Sequence, residues 1–268
     1  TQTYVNNLER LEKVLLPEGD LAASINKFFD SLSALAASPG DNVARVTALS
    51  AGGSLTAAFH LTSEVLKELT RELQQGIEIT VEKLNQLTSS LAQVNKEIMS
   101  SNQGANASPA LLDTRDKLLQ EISKIAAVDT SLKVRGDAEV SLGYDSTGIT
   151  IVEAGNAQVI STNASQRALE AVTFFIDEEK PIGFFEGGSL RGLVDSYNVA
   201  QLAQNDLDLL TERFVDEIND AHQGGVDING NAGKPMFSAT KHDVSVLKAG
   251  DNRLELTFNA FPGFSDTL

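Results

Sequence analysis

Ile77, Leu84, Leu91 and Ile98 recur every seven residues within a stretch, Asn42 to Ser101, that contains no proline. That spacing keeps one apolar row on one side of a helix and lets it pack along a partner, as in coiled coils and long bundles. Leu66, Leu69 and Leu73 lead into the row. Leu87 and Val94 are expected to fill the alternate seam positions, with Val81 beside them. Gly52-Gly53 is the weak point, because each glycine costs ~1 kcal/mol against alanine inside a helix. A continuous helix over residues 54–101 would run ~70 Å at 1.5 Å per residue. Such a rod is a scaffold device more often than part of a compact enzyme.

Shorter helices flank it. Val5, Leu8, Leu11 and Leu15 form one stripe from about Tyr4 to Leu16, which Pro17-Glu18-Gly19 ends. Asp20 is a candidate cap for a second helix, whose apolar face is Leu21, Ile25, Phe28, Phe29, Leu32 and Leu35. Ser38-Pro39-Gly40 stops that helix, and Asp41 is the next cap candidate. After a loop at 101–106, Ser108 caps a helix with Pro109 at its first position, where a missing N–H costs nothing. Leu112, Leu119, Ile122 and Ile125 are its apolar stripe, and it is expected to lie antiparallel on the rod.

Near Ala127 the period changes to two. Ala138, Val140, Leu142 and Tyr144 alternate with polar residues and glycine, Asp145–Gly148 is a hairpin turn, and Ile149 and Ile151 sit on the return strand. Glu153–Asn156 is a second turn before Val159 and Ile160, and Val172–Ile176 is a further strand. Helix returns after Gly187-Gly188, where Leu193, Ala200, Leu207, Phe214 and Ala221 are again seven apart, Leu190, Tyr197, Leu210 and Ile218 widen the stripe, and Gln204 interrupts it. Gly224-Gly225 ends this helix. The expected division is a discontinuous helical bundle of residues 1–128 plus 187–224, a small β unit at 129–186, and a second β segment or truncated outer domain at 225–268. The fold class is α+β and multidomain.

Charge and composition exclude several functions. Lys+Arg 21 against Asp+Glu 37 gives a net charge of −16, which argues against a nucleic-acid surface. No apolar run reaches the ~18 residues of a membrane span. Without cysteine there are no thiolate metal sites, disulfides or cysteine nucleophiles. Asp227-Ile228-Asn229-Gly230-Asn231 begins like a calcium loop, but Ala232 and Ser238 stand where glycine and a bidentate glutamate are needed. Gly230–Lys234 lacks phosphate-loop spacing, and Pro235 replaces the hydroxyl residue. His60, His222 and His242 have no helical metal spacing, and Glu178, Glu179 and Glu186 read as surface acids. Asp113 and Lys117 can pair on one helix turn, while Arg115 could cross to the rod and fix its register. Cofactors, metals and catalytic residues are therefore expected to be absent.

Five segments together resemble one family. They are Phe28–Leu32 with Pro39-Gly40-Asp41 and Ala44-Arg45; Val81–Asn85 with Leu91–Ile98; and Ser108-Pro109 with Leu112-Asp113-Thr114-Arg115-Asp116-Lys117-Leu118. The last two are Gly187-Gly188-Ser189-Leu190-Arg191-Gly192-Leu193, and Ile218-Asn219 with His222, Gly225, Asp227, Asn229-Gly230, Gly233 and Phe237. In order and spacing they resemble the flagellar hook-associated protein 1 family, the first hook–filament junction proteins of bacteria, along residues 1–240. The motif residues the resemblance carries over are Asp113, Arg115, Asp116, Gly188, Leu190, Asn219, His222, Asp227 and Gly230.

The resemblance implies a flagellin-like shaft of long antiparallel helices carrying small antiparallel β domains. The seam would be Leu66, Leu73, Ile77, Leu84, Leu91, Ile98, Leu193, Leu207 and Phe214. It implies an extracellular structural subunit exported through the flagellar type III apparatus, with hook protein and the second junction protein as neighbours. It also implies homo-oligomers formed through terminal assembly helices and a chaperone that recognises the C-terminal end. Beginning at Thr1 and ending at Leu268, the chain reads as an internal piece without those helices. Its acidic, mostly non-aromatic surface is expected to leave that piece monomeric. Flagellin, the second junction protein or an adhesin-type rod are the other readings.

Overall fold

The computed structural model describes residues 2–15, 21–101, 108–143, 148–164, 172–177, 180–182, 185–226, 230–241 and 254–258. The expected stop at Pro17–Gly19, the Asp20 cap, the loop at 102–106, the hairpin tip at Asp145–Thr147 and residues after Lys241 other than 254–258 lie outside them. The helices are α1 (Gln2–Leu15), α2 (Leu21–Ala37), α3 (Asn42–Ser100), α4 (Pro109–Ile125) and α5 (Gly188–Gln223). The strands are β1 (Val128–Leu132), β2 (Ala138–Leu142), β3 (Thr150–Glu153), β4 (Asn156–Ala157), β5 (Ile160–Thr162), β6 (Phe174–Ile176), β7 (Lys180–Ile182), β8 (Phe237–Lys241) and β9 (Leu254–Phe258).

Local chemistry sets the ends. Asp41 Oδ1 accepts the Val43 N–H at 2.8 Å and the Asp41 carbonyl accepts that of Arg45 at 3.2 Å, which is N-cap geometry. Ser108 caps α4 by accepting from Leu111 N–H, with Pro109 in the first turn. Gly52-Gly53 does not break α3, which starts at Asn42 and runs 59 residues. Burial of Ala51, Leu55 and Phe59 on either side offsets the backbone entropy of the two glycines.

The chain divides into two compact units, Thr1–Glu9 with Arg71–Val199 and Arg10–Thr70 with Ala200–Leu268. In the first, Ile77, Leu84, Leu91 and Ile98 are completely buried along α3. Leu193 of α5 lies over Gly76, where a Cβ would meet its side chain at 3.4 Å. Val94 and Ile98 pack with Leu111, Leu112 and Leu118 of α4. A four-stranded antiparallel sheet runs β1-β2-β3-β4 and a three-stranded one runs β5-β6-β7. A register shift between Val140 and Ser141 breaks the expected alternation. Ile151 and Val152 are therefore both buried, and Ile149, expected inward, is 45% exposed.

The second unit is centred on five phenylalanines. The Phe28 ring lies 5.8 Å from Phe29, 6.1 Å from Phe214 and 5.6 Å from Phe237, all edge-on, and Phe59 lies 5.8 Å from Phe214. Edge-to-face contacts of this kind add to the burial term. β8 and β9 pair as an antiparallel ribbon from Phe237↔Phe258 to Lys241↔Leu254.

Candidate functional site: a helix framework that clamps strands

An asparagine carboxamide presents one acceptor and one pair of donors side by side, matching the N–H and C=O edge of an extended residue. Three asparagines use that match on the first residue of a strand. Asn95 on α3 accepts the Ala138 N–H at 2.9 Å and donates to its carbonyl at 2.7 Å. Ten residues earlier, Asn85 does the same to Ile160, at 2.9 and 2.7 Å. Asn219 on α5 accepts from Met236 N–H at 2.7 Å and Phe237 N–H at 3.0 Å, and donates to the Phe237 carbonyl at 2.8 Å. Thus β2, β5 and β8 are each fastened to a helix at their starting residue. Asn95, Ala138 and Phe237 are completely buried, so these bonds work where unmade ones are expensive.

The Asp113-x-Arg115-Asp116 segment braces the same sheet. Arg115 Nη1 donates to the Gly136 carbonyl at 2.8 Å, in the turn between β1 and β2. Its Nε and Nη2 donate to Asp116 Oδ1 at 2.9 and 2.7 Å. The expectation that Arg115 crosses to the long helix is corrected: the buried guanidinium reaches the hairpin turn, two residues from the Asn95 clamp. Asp113 is exposed. Asp137, between the two braced residues, is buried with its Oδ1 unpaired.

Gly188 is required by contact as well as conformation. Its φ is +77°, and a Cβ there would overlap the Ile125 carbonyl. Leu190, one half-turn on, is completely buried. His222 donates from Nδ1 to the Lys234 carbonyl, since a carbonyl can only accept. Gly233 lies so close to the His222 carbonyl that a Cβ would overlap it. Gly230 has φ +84° and open space around it. Asp227 lies outside the described residues.

The seam residues Leu66 and, at 3%, Leu73 are buried, Leu207 is 8% exposed, and Leu193 and Phe214 are half-buried. The alternate row differs from the expected one. Leu87 is half-buried and Val94 faces α4. The second buried row is Gln74, Val81, Thr88 and Asn95, also seven apart. Gln74 Nε2 donates to the Tyr197 hydroxyl at 3.3 Å, and Thr88 Oγ1 to the Asn85 carbonyl at 3.0 Å. Gln204, in the α5 row, is buried and donates to Asp208 at 2.9 Å and to Ser63 at 3.4 Å. These polar residues are what hydrophobic periodicity passes over; their seven-residue spacing was the available signal. Asn85 carries none, because its partner is 75 residues away.

Among the described residues no three His, Asp or Glu side chains gather into a metal-binding group. No helix there is long and apolar enough to cross a membrane. The arrangement positions strands on helices through side-chain hydrogen bonds to strand and turn backbone.

The family model for the flagellar hook-associated protein FlgK helical domain matches residues 8–237. The chain belongs to this family. Within it, flagellar hook-associated protein 1 of Salmonella typhimurium is 29% identical over 247 residues, covering 88% of this chain and 44% of that protein. The Escherichia coli K12 protein of the same name is 27% identical over 250 residues, covering 90% and 45%. The solved structure of the flagellar hook junction protein FlgK from Burkholderia pseudomallei is similar with a TM-score of 0.76 at 25% identity, over 90% of this chain and 44% of that one. The chain therefore spans just under half the length of these FlgK relatives. The α+β class, with long helices carrying small antiparallel sheets, is the one shared with that FlgK structure.

Proposed function

We propose that this chain is a structural, non-catalytic part of the junction between hook and filament of a bacterial flagellum, outside the cell. There it transmits torque from hook to filament and offers the filament a template to grow on. The observation that carries this reading is the FlgK helical-domain match over residues 8–237. The physics supports it. Long helices packed along an extended seam resist bending, and strands fastened to them by Asn85, Asn95 and Asn219 follow the helices under load. The partners in this reading are further copies joined through flagellin-like terminal helices, hook protein, the second junction protein and an export chaperone. Nucleic acid, membrane and cofactors have no part in it.

Immunogold labelling of isolated flagella with antibody against this chain tests the proposal. A tight band where hook meets filament is the expected result. Label along the whole filament would make it a flagellin-like subunit, and unlabelled flagella would overturn the flagellar reading.

A further inference from the structure

Among the described residues, β1 is an edge strand with no strand paired on its outer side. Which backbone groups that edge presents follows from the ladder. The Ala127 carbonyl accepts from Gly143 N–H at 3.0 Å, and Lys133 N–H donates to the Asp137 carbonyl at 2.9 Å. Opposed residues of an antiparallel pair alternate between bonded and non-bonded. Asp129 and Ser131, in phase with Ala127 and Lys133, therefore spend their N–H and C=O on β2. Thr130 and Leu132 turn theirs outward, and both residues are exposed, Leu132 at 57%. Neither a proline nor a bulge blunts this edge.

The strand is also self-complementary. Two copies of β1 laid antiparallel, with Ser131 opposite Ser131, set Thr130 against Leu132 and Asp129 against Lys133, each twice about the two-fold axis. The Thr130–Leu132 pairs then face each other with free N–H and C=O groups, so each exchanges two main-chain bonds. Asp129 and Lys133 share one face of the sheet, opposed in position and opposite in charge. Lys133 Nζ donates to Glu139 at 2.9 Å, across the same face, and its side chain is 44% exposed. An ammonium has three donors, enough for Glu139 of its own copy and Asp129 of the other. A shift of two residues either way keeps the bonding phase but puts Lys133 opposite Ala127 or Ser131. Charge thus selects one register. The net charge of −16 predicts a monomer, yet Val128–Lys133 carries one aspartate and one lysine.

We propose that β1 is a docking edge for a second copy of this chain, pairing with that copy's β1 about a two-fold axis at Ser131. The contact joins two four-stranded sheets into one continuous sheet. Main-chain bonds supply the affinity, as in other strand additions, and the Asp129–Lys133 pairs fix the register. Two short strands bury less than a standard interface of ~1,600 Å². The dimer is accordingly weak, with a dissociation constant of about 100 μM.

Sedimentation velocity from about 1 to 500 μM tests it, bracketing that constant. Dimer should grow with concentration in the unaltered chain. Thr130→Pro removes an outward N–H and no bond to β2, so it should keep its far-UV circular dichroism and lose the dimer. Asp129→Lys and Lys133→Asp should each be monomeric alone and dimerise when mixed, because the mixture restores both charge pairs. Ser131→Cys, in a chain without other cysteines, should oxidise in air to a disulfide-linked dimer, since opposed non-bonded residues stand ~4.5 Å apart at Cα. The exposed control Ser123→Cys should not. A monomer throughout the range, with no disulfide at Ser131→Cys, overturns the proposal. A dimer that survives Thr130→Pro, or charge variants that stay monomeric on mixing, overturns it too. None of these outcomes depends on where the antibody labels the flagellum.

Discussion

Asn95 holds Ala138 by both sides of its peptide edge, accepting at 2.9 Å and donating at 2.7 Å, although 43 residues separate them. No strand could occupy that position, because α3 already fills it. The side chain supplies what a neighbouring strand would have supplied. Asn95→Ala leaves a buried N–H and carbonyl unmet, and should cost about 2–4 kcal/mol in urea unfolding. Asn85→Ala, at a half-buried site, should cost less. Equal stability of Asn95→Ala and the parent chain would show that the two bonds contribute nothing net.

Arg115 and Asp116 should behave unequally, although they touch. Asp116 is 62% exposed, so Asp116→Asn should change stability by less than ~0.5 kcal/mol. Arg115→Ala removes the donor to Gly136 and should cost about 1–3 kcal/mol. It should also speed hydrogen exchange at the Gly136 amide, which donates within the same turn to Lys133. If Asp116→Asn is the more damaging change, the brace is the ion pair and not the turn.

Three glycines separate contact from conformation. Gly188→Ala forces a left-handed alanine into the Ile125 carbonyl and should cost more than ~2 kcal/mol. Gly155→Ala meets the flexible Lys96 stem first, which can move, so the loss should be smaller. Gly53→Ala meets open space within a helix and should gain ~0.5–1 kcal/mol in dilute protein. Thermal melts of the three variants give the order directly.

Glu121 gives a pH handle. The hydrogen bond from Lys124, and then its charge, hold the Glu121 carboxyl below its ordinary value of 4.5. A carboxyl with a lowered folded-state pKa stabilises above its unfolded value, and that contribution is lost as pH falls through the folded one. Glu121→Gln should therefore remove a small loss of stability on acidification below 4.5, and leave neutral pH nearly unchanged. An NMR titration placing Glu121 at or above the ordinary value would refute the pairing.

The legible parts of this fold were those written in apolar periodicity. Ile77, Leu84, Leu91 and Ile98 announce α3, and Asp41 and Ser108 announce their helix starts through the short side-chain oxygens that caps require. Polar residues buried for a reason were not legible as such. Gln74, Thr88 and Asn95 occupy one face with Val81, and a hydrophobic reading moved the seam to Leu87 and Val94 instead. β1 was visible only as a change of period, because Thr130, Ser131 and Leu132 face outward on an edge strand. The candidate site was half-visible. Arg115, Gly188 and Asn219 stand in recognisable motifs, but the backbone each one meets is 17 to 63 residues away and is set by topology.

The close approach of Gly188 to Ile125 brings the chain back to the point it left. Among the described residues between those two, seven strands form two sheets, an excursion with one shared doorway. Such an insert can lengthen, shrink or be exchanged without lengthening the path between α4 and α5. Variation in this region can therefore alter what the surface presents to its neighbours while the helices keep their places.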